Sequence, residues 1–238
     1  FVTNFSGESN TLYLNDGAGT FTDKTFSAGL GQPSLDVLGF GTKFLDIDLD
    51  GWLDLFVVNG HVIDNISHFN SAYTYAQRKQ VFINNKNGTF SEIDQKLIGA
   101  AAVPSVGRGA AFGDIDNDGD LDIVISNNNQ PANLLIKKDS PENNWIGFEL
   151  EGRSSNRDAI GGKVTIETAN GKQIAYVNPA ASYLASNDKR IVFGLNDTEM
   201  VDAIKVSWPG GNEEIFSLKN VNQYYKIVEG TGLSERKY

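Results

Sequence analysis

A nine-residue stretch occurs twice in this chain and narrows its possible folds more than any other feature. It reads Asp46-Ile47-Asp48-Leu49-Asp50-Gly51-Trp52-Leu53-Asp54, then Asp114-Ile115-Asp116-Asn117-Asp118-Gly119-Asp120-Leu121-Asp122. Carboxylates fall at positions 1, 3, 5 and 9 of each copy, and glycine at position 6. Carboxylates this close repel one another unless a cation stands among them. Hard oxygen ligands at alternate positions, with glycine for the sharp turn, suit calcium. The candidate ligands are Asp46, Asp48, Asp50 and Asp54 in one copy and Asp114, Asp116, Asp118 and Asp122 in the other. A backbone carbonyl of Trp52 or Asp120 would serve at position 7. Two Ca2+ ions are expected. The competing reading is a solvated acidic hairpin, which the recurrence of the stretch in one context disfavours.

The residues after each copy exclude the helix–loop–helix calcium site. That site needs Glu at position 12, and here Val57 and Ile125 stand there. Leu55-Phe-Val-Val58 and Ile123-Val-Ile-Ser126 read instead as buried strand, so each loop is expected to join two strands. The acidic balance fits: 30 Asp and Glu stand against 20 Lys and Arg, a net charge of −10 that two divalent ions would bring to about −6. An acidic chain without a basic run is a poor nucleic-acid binder. With no cysteine, disulfide and thiol chemistry are excluded. No stretch reaches the roughly 20 apolar residues of a membrane span.

The loops belong to a longer repeat. Asn10–Asp23 aligns with Lys79–Glu92: apolar strand, a turn ending in Gly-Thr, then Phe opening the next strand; Asn133–Lys138 is a shorter third copy. Gly39–Asp46 and Gly107–Asp114 are matching glycine-rich approach strands, and the loops begin 68 residues apart. Gly107-Arg-Gly-Ala-Ala-Phe-Gly113 imitates a dinucleotide loop but leads into an aspartate loop, not a helix, and is rejected as one. Short strands with turn signals at this period predict propeller blades. Phe1–Asn4 aligns with Phe56–Asn59 and Val124–Asn127, the strands that leave acidic loops. The chain is therefore expected to be the C-terminal part of a longer one, with the preceding blades as its partner.

Between repeats lies an insertion, Gly60–Arg78, holding His61, His68, Phe69, Tyr73 and Tyr75, with a short helix expected near Ser71–Lys79. Its aromatics could form a ligand platform or simply pack on their neighbours. Two lone histidines are a weak zinc signal.

The polar run Asp139–Asn144 marks a boundary, giving domains 1–140 and 141–238. Beyond it, Trp145–Leu150, Lys163–Thr168, Gln173–Val177, Arg190–Phe193, Ala203–Trp208, Glu214–Leu218 and Tyr224–Val228 read as seven strands, with hairpin turns at Asn170-Gly171 and Gly210-Gly211. The expected class is all-β: partial β-propeller blades with calcium loops, then a small antiparallel β-sandwich-like domain. Ser154–Arg157 with Asp158 reads as a local cap in preference to a polar binding turn.

These pieces resemble FG-GAP/VCBS repeat propellers with a C-terminal ASPIC/UnbV domain, the cartilage acidic protein 1-like family. The resemblance rests on Phe112–Asp122, Tyr13–Phe21, Asn59–Val62, Gly152–Gly161, Phe193-Gly-Leu195 and Trp208-Pro-Gly210. It departs where Leu45 replaces the glycine before the first aspartate and where one turn reads Asn-Lys-Asn-Gly. It implies a secreted, extracellular or periplasmic calcium-binding protein and no reaction. The expected function is a binding or adhesion module without catalysis of its own, whose partner is a glycan, a matrix component or a protein. The alternatives are an enzyme or accessory subunit acting on glycans, and a structural subunit of a larger extracellular assembly.

Overall fold

The computed structural model describes residues 1–137, 142–218 and 220–236. The expected boundary at 140/141 lies outside them. The chain is all-β, in several separate sheets.

The first half is a row of sheets built to one plan. β1 (Tyr13–Asn15) and β2 (Phe21–Asp23) form a hairpin. A short helix α1 (Gly31–Ser34) leads to β3 (Gly39–Leu45), β4 (Asp54–Asn59), β5 (Gln80–Asn84) and β6 (Phe90–Glu92), an up-and-down antiparallel sheet. β7 (Gly107–Gly113), β8 (Asp122–Asn127) and β9 (Gln130–Leu135) repeat it. The equivalence extends to the register. Gly39 faces Asn59 and Thr42 faces Val57 across a bulge; Gly107 faces Asn127 and Ala110 faces Ile125 across another.

Alternation along β4 accounts for the packing. Successive side chains of a strand point to opposite faces, and all six residues of β4 are buried. Phe56 and Val58 join Val81, Ala110, Phe112 and Ile125 in the core shared with the next sheet. Leu55 and Val57 join Ala28, Leu30 and Phe82 on the other side. A strand covered on both faces reads as a continuous apolar run, as Leu55–Val58 does.

The insertion differs from expectation. Its helix, α2, spans Ile66–Phe69, while 71–79 is irregular. Ile66 is buried and anchors that turn. The later backbone is taken by neighbours: the Tyr75 carbonyl accepts from His61 N at 2.9 Å, and Gln77 bridges to Ser105. A helix there would forfeit both.

The second half stacks two four-stranded sheets. β10 (Asn144–Glu151) lies between β13 (Ile191–Asn196) and β16 (Tyr224–Val228), with β17 (Gly232–Arg236) outside β16. β11 (Lys163–Thr168) lies between β12 (Gly171–Tyr176) and β14 (Ala203–Ser207), with β15 (Glu213–Phe216) outside β14. Ile146, Phe148, Val164, Ile166, Ile204 and Val206 fill the space between, closed by Trp208. The expected seven strands are present, and β17 is an eighth. The sandwich is also not wholly antiparallel, because β10 pairs parallel to β16.

The halves meet in a tight seam. Gly194 of β13 sits against the Asp46 carboxylate and the Leu49 backbone, where any Cβ would collide with both. Gly194→Ala should therefore lower stability by ~1–3 kcal/mol, the usual cost of forcing a methylene into a packed site. Urea denaturation checks this; an unchanged midpoint would mean the halves do not press together here.

Candidate metal centre

Both acidic loops leave the first strand of a sheet, β3 or β7, and return through β4 or β8, and both fold the same way. Positions 4 and 6 take left-handed backbone: Leu49 and Gly51 at φ 59 and 89, Asn117 and Gly119 at φ 65 and 98. Glycine and asparagine accept this region readily, whereas leucine does not. The turn aims backbone N–H groups at the first aspartate. Asp46 accepts from Asp50 N at 3.0 Å and Gly51 N at 2.9 Å. Asp114 accepts from Asp118 N at 3.2 Å and Gly119 N at 2.8 Å. The ninth residue ties the loop shut: Asp54 accepts from Ile47 N and Asn84 N at 2.9 and 2.8 Å, and Asp122 from Ile115 N at 2.8 Å.

The structure gathers the carboxylates into two triads. Oxygens of Asp46, Asp48 and Asp50 lie within 4.8 Å of one another, and so do those of Asp114, Asp116 and Asp122. Oxygens about 2.4 Å from one calcium can stand no more than about 4.8 Å apart, so either triad can share an ion. Asp54 and Asp118 belong to neither triad, and Trp52, named for its backbone carbonyl, is 48% exposed as a residue. Asp120 was a candidate only through its carbonyl. Its carboxylate is 1% exposed and neither oxygen has a hydrogen bond. The Lys137 Nζ stands 3.5 Å away. A buried carboxylate this poorly satisfied is costly unless a cation completes it.

The electrostatics agree. Burial pushes the Asp46 and Asp120 carboxyls up to about 7 and Asp54 up to about 6, with neighbouring carboxylates adding to the rise. Burial also raises Asp118 and Asp122. Nearby cations relieve part of this: Lys86 Nζ is 2.7 Å from Asp50, and Lys137 Nζ also donates to the Ile47 carbonyl at 3.2 Å, linking the two loops.

The roof over the loops comes from the second half. Tyr224 donates its hydroxyl to Asp114 Oδ2 at 2.6 Å, and burial together with that bond raises the phenol well above its ordinary value. Arg190 lies over the Tyr224 ring, donates to Asn117 Oδ1 at 2.6 Å and reaches the Asp114 carbonyl. Leu49 packs with Trp145 and Tyr224 while its carbonyl accepts from Asn196 N at 2.9 Å, which holds its left-handed backbone in place. Local sequence carried no signal for Tyr224 or Arg190, which lie far along the chain and on another sheet.

The other candidates resolve into structure. His61 is buried; Ile63 N donates to its Nδ1 at 3.0 Å, and Ser6 Oγ stands 3.1 Å from its Nε2. Arg108 clamps the insertion through the Gly60 and His61 carbonyls, both at 2.9 Å. Neither histidine belongs to a metal-capable group among the described residues. The turn at Arg153–Ser155 aims three N–H groups at Glu229 Oε2, at 2.8 to 2.9 Å, and these bonds hold the Glu229 carboxyl below its ordinary value.

Comparison with known proteins places two segments in families. Residues 46–125 match the FG-GAP-like repeat, and residues 152–234 match ASPIC and UnbV. The chain thus resembles FG-GAP-repeat proteins that carry an ASPIC and UnbV domain. Among its relatives is Cartilage acidic protein 1 of Mus musculus, 26% identical over 259 aligned residues, covering 89% of this chain and 39% of that protein. The Homo sapiens protein of that name is also 26% identical, over 89% of this chain and 38% of its own length. This chain therefore spans about two fifths of the length of those relatives. The crystal structure of a "putative cell adhesion protein" from Bacteroides ovatus aligns over 100% of this chain and 94% of that one at 10% identity, with a TM-score of 0.25, too low to carry an argument.

The raised carboxyls fix the sign of a pH effect. A carboxyl at about 7 in the fold and near 3.8 when unfolded contributes stability fully present below 3.8 and lost as pH rises through 7. In chelator, these groups should make the unfolding free energy fall between pH 4 and 7, and Asp120→Asn should flatten that fall. Urea melts across pH check it; a slope unaltered by Asp120→Asn would contradict the assignment.

Proposed function

We propose that the chain is the calcium-binding part of a β-propeller protein that works outside the cell as a binding or adhesion module, with no catalysis of its own. The observation that carries the reading is the pair of loops that each gather an acidic triad, the second also burying the Asp120 carboxylate with no hydrogen bond and with Lys137 Nζ 3.5 Å away. Calcium there is structural: it neutralises the carboxylates and fixes the connection between strands, so that neighbouring sheets present a rigid surface. The propeller reading is supported by successive sheets with matching bulges. The extracellular reading is supported by relatives named for cartilage and for acidity, matching this chain's net charge of −10. Among the described residues no helix is long and apolar enough to cross a membrane.

The test is thermal unfolding in calcium, in excess EDTA and in magnesium. Ligand bound only by the native state stabilises it, by roughly 2.7 kcal/mol at a hundred times its dissociation constant. Calcium should raise the midpoint and EDTA lower it, with magnesium failing to substitute. Asp116→Asn should remove about half of the calcium response. No difference between calcium and EDTA would overturn the reading.

A further inference from the structure

Three strand edges converge where the two halves meet. β3, β12 and β13 each stand at the end of their sheet order. Between them lies a cavity of about 720 Å³, within the range of small-molecule sites. Its walls are largely apolar, including Phe44, Leu53, Phe112, Ile174 and Phe193. Ile174 and Tyr176, alternate residues of β12 on this wall, remain 50% and 60% exposed. This is a large apolar surface for the inside of a concavity.

One charge on that wall stands apart from the rest. Lys43 is half-buried, its ammonium 5.6 Å from the centre of the Phe112 ring, and it makes no hydrogen bond or ion pair among the described residues. The carboxylates nearby are committed elsewhere. Asp188 binds Arg190 at 2.6 Å. Asp46 turns its oxygens to the Asp50 and Gly51 N–H groups. Burial pushes the Lys43 amine below its ordinary value, with Asp188 opposing. An ammonium set over an aromatic face and outside any ion pair among the described residues recognises an anion, and the surrounding walls recognise an apolar body.

We propose that this inter-domain cavity binds a small amphipathic carboxylate, its head group on Lys43 and its apolar part against Phe44, Phe112 and Ile174. The proposal goes beyond the calcium reading and does not depend on it, since Lys43 belongs to neither acidic triad.

The test is calorimetric titration of the purified 238-residue chain with octanoate and with 1-octanol, in calcium and in EDTA. Octanoate should bind saturably at one site, and 1-octanol at least ~10-fold more weakly, because only the acid engages the ammonium. Lys43→Met should bring octanoate down to the level of the alcohol, and Lys43→Arg should keep most of the difference. Lys43→Met replaces an unpaired half-buried cation with an apolar side chain of similar length, so its melting midpoint should not fall. Ile174→Glu, at a half-exposed position, should weaken both ligands. No saturable binding, or octanoate binding by Lys43→Met equal to that of the parent, would overturn the proposal.

Discussion

Crowded negative charge held out of water is the constraint on which the rest of this structure depends. Each acidic loop places several carboxylates within a few ångströms, and the second half of the chain then covers them. Carboxylates can be buried this way only if backbone N–H groups, fixed cations or a bound ion take up the charge. The protein uses the first two throughout: the left-handed turns aim N–H groups at Asp46 and Asp114, Lys86 pairs with Asp50, Lys137 stands by Asp120, and Arg190 donates to Asn117. Asp120 has Lys137 at 3.5 Å but no hydrogen bond to either oxygen.

The same constraint joins the two halves into one object. Leu49 holds a backbone conformation that leucine resists, and it does so because Trp145, Tyr224 and Asn196 close over it. Gly119 answers the same pressure in the second loop, since a Cβ there would collide with the Trp145 ring. The ASPIC and UnbV segment thus bears directly on the acidic turns of the FG-GAP-like segment, and changes at either are felt by the other.

How much could be read from the sequence depends on how local each feature is. The loops were legible because alternate aspartates and a glycine form a pattern within nine residues. The strands were legible because β4 and its equivalents are continuous apolar runs. Tyr224 and Arg190 were not, because a phenol or a guanidinium carries no mark of the loop it covers. The parallel pairing of β10 with β16 was hidden for a similar reason: alternation sets which face a strand buries, but not the direction of its neighbour. The insertion's helix was misplaced because tertiary hydrogen bonds of Tyr75 and Gln77 decided that backbone against local propensity. Asp120 was read for its carbonyl alone, since burial is not visible in a string of aspartates.

The placement of β16 also sets an order of assembly. The first and seventh strands of the second half pair with each other at the centre of their sheet. The hydroxyl that meets Asp114 arrives 110 residues after it. On the ribosome, the acidic turns therefore emerge long before their cover. Through that interval they face water, where their charges are screened and dissolved ions have free access. The seam closes only when the last hairpin docks, a late and non-local step that slows folding. An ion taken up early would thus be enclosed as translation is completed.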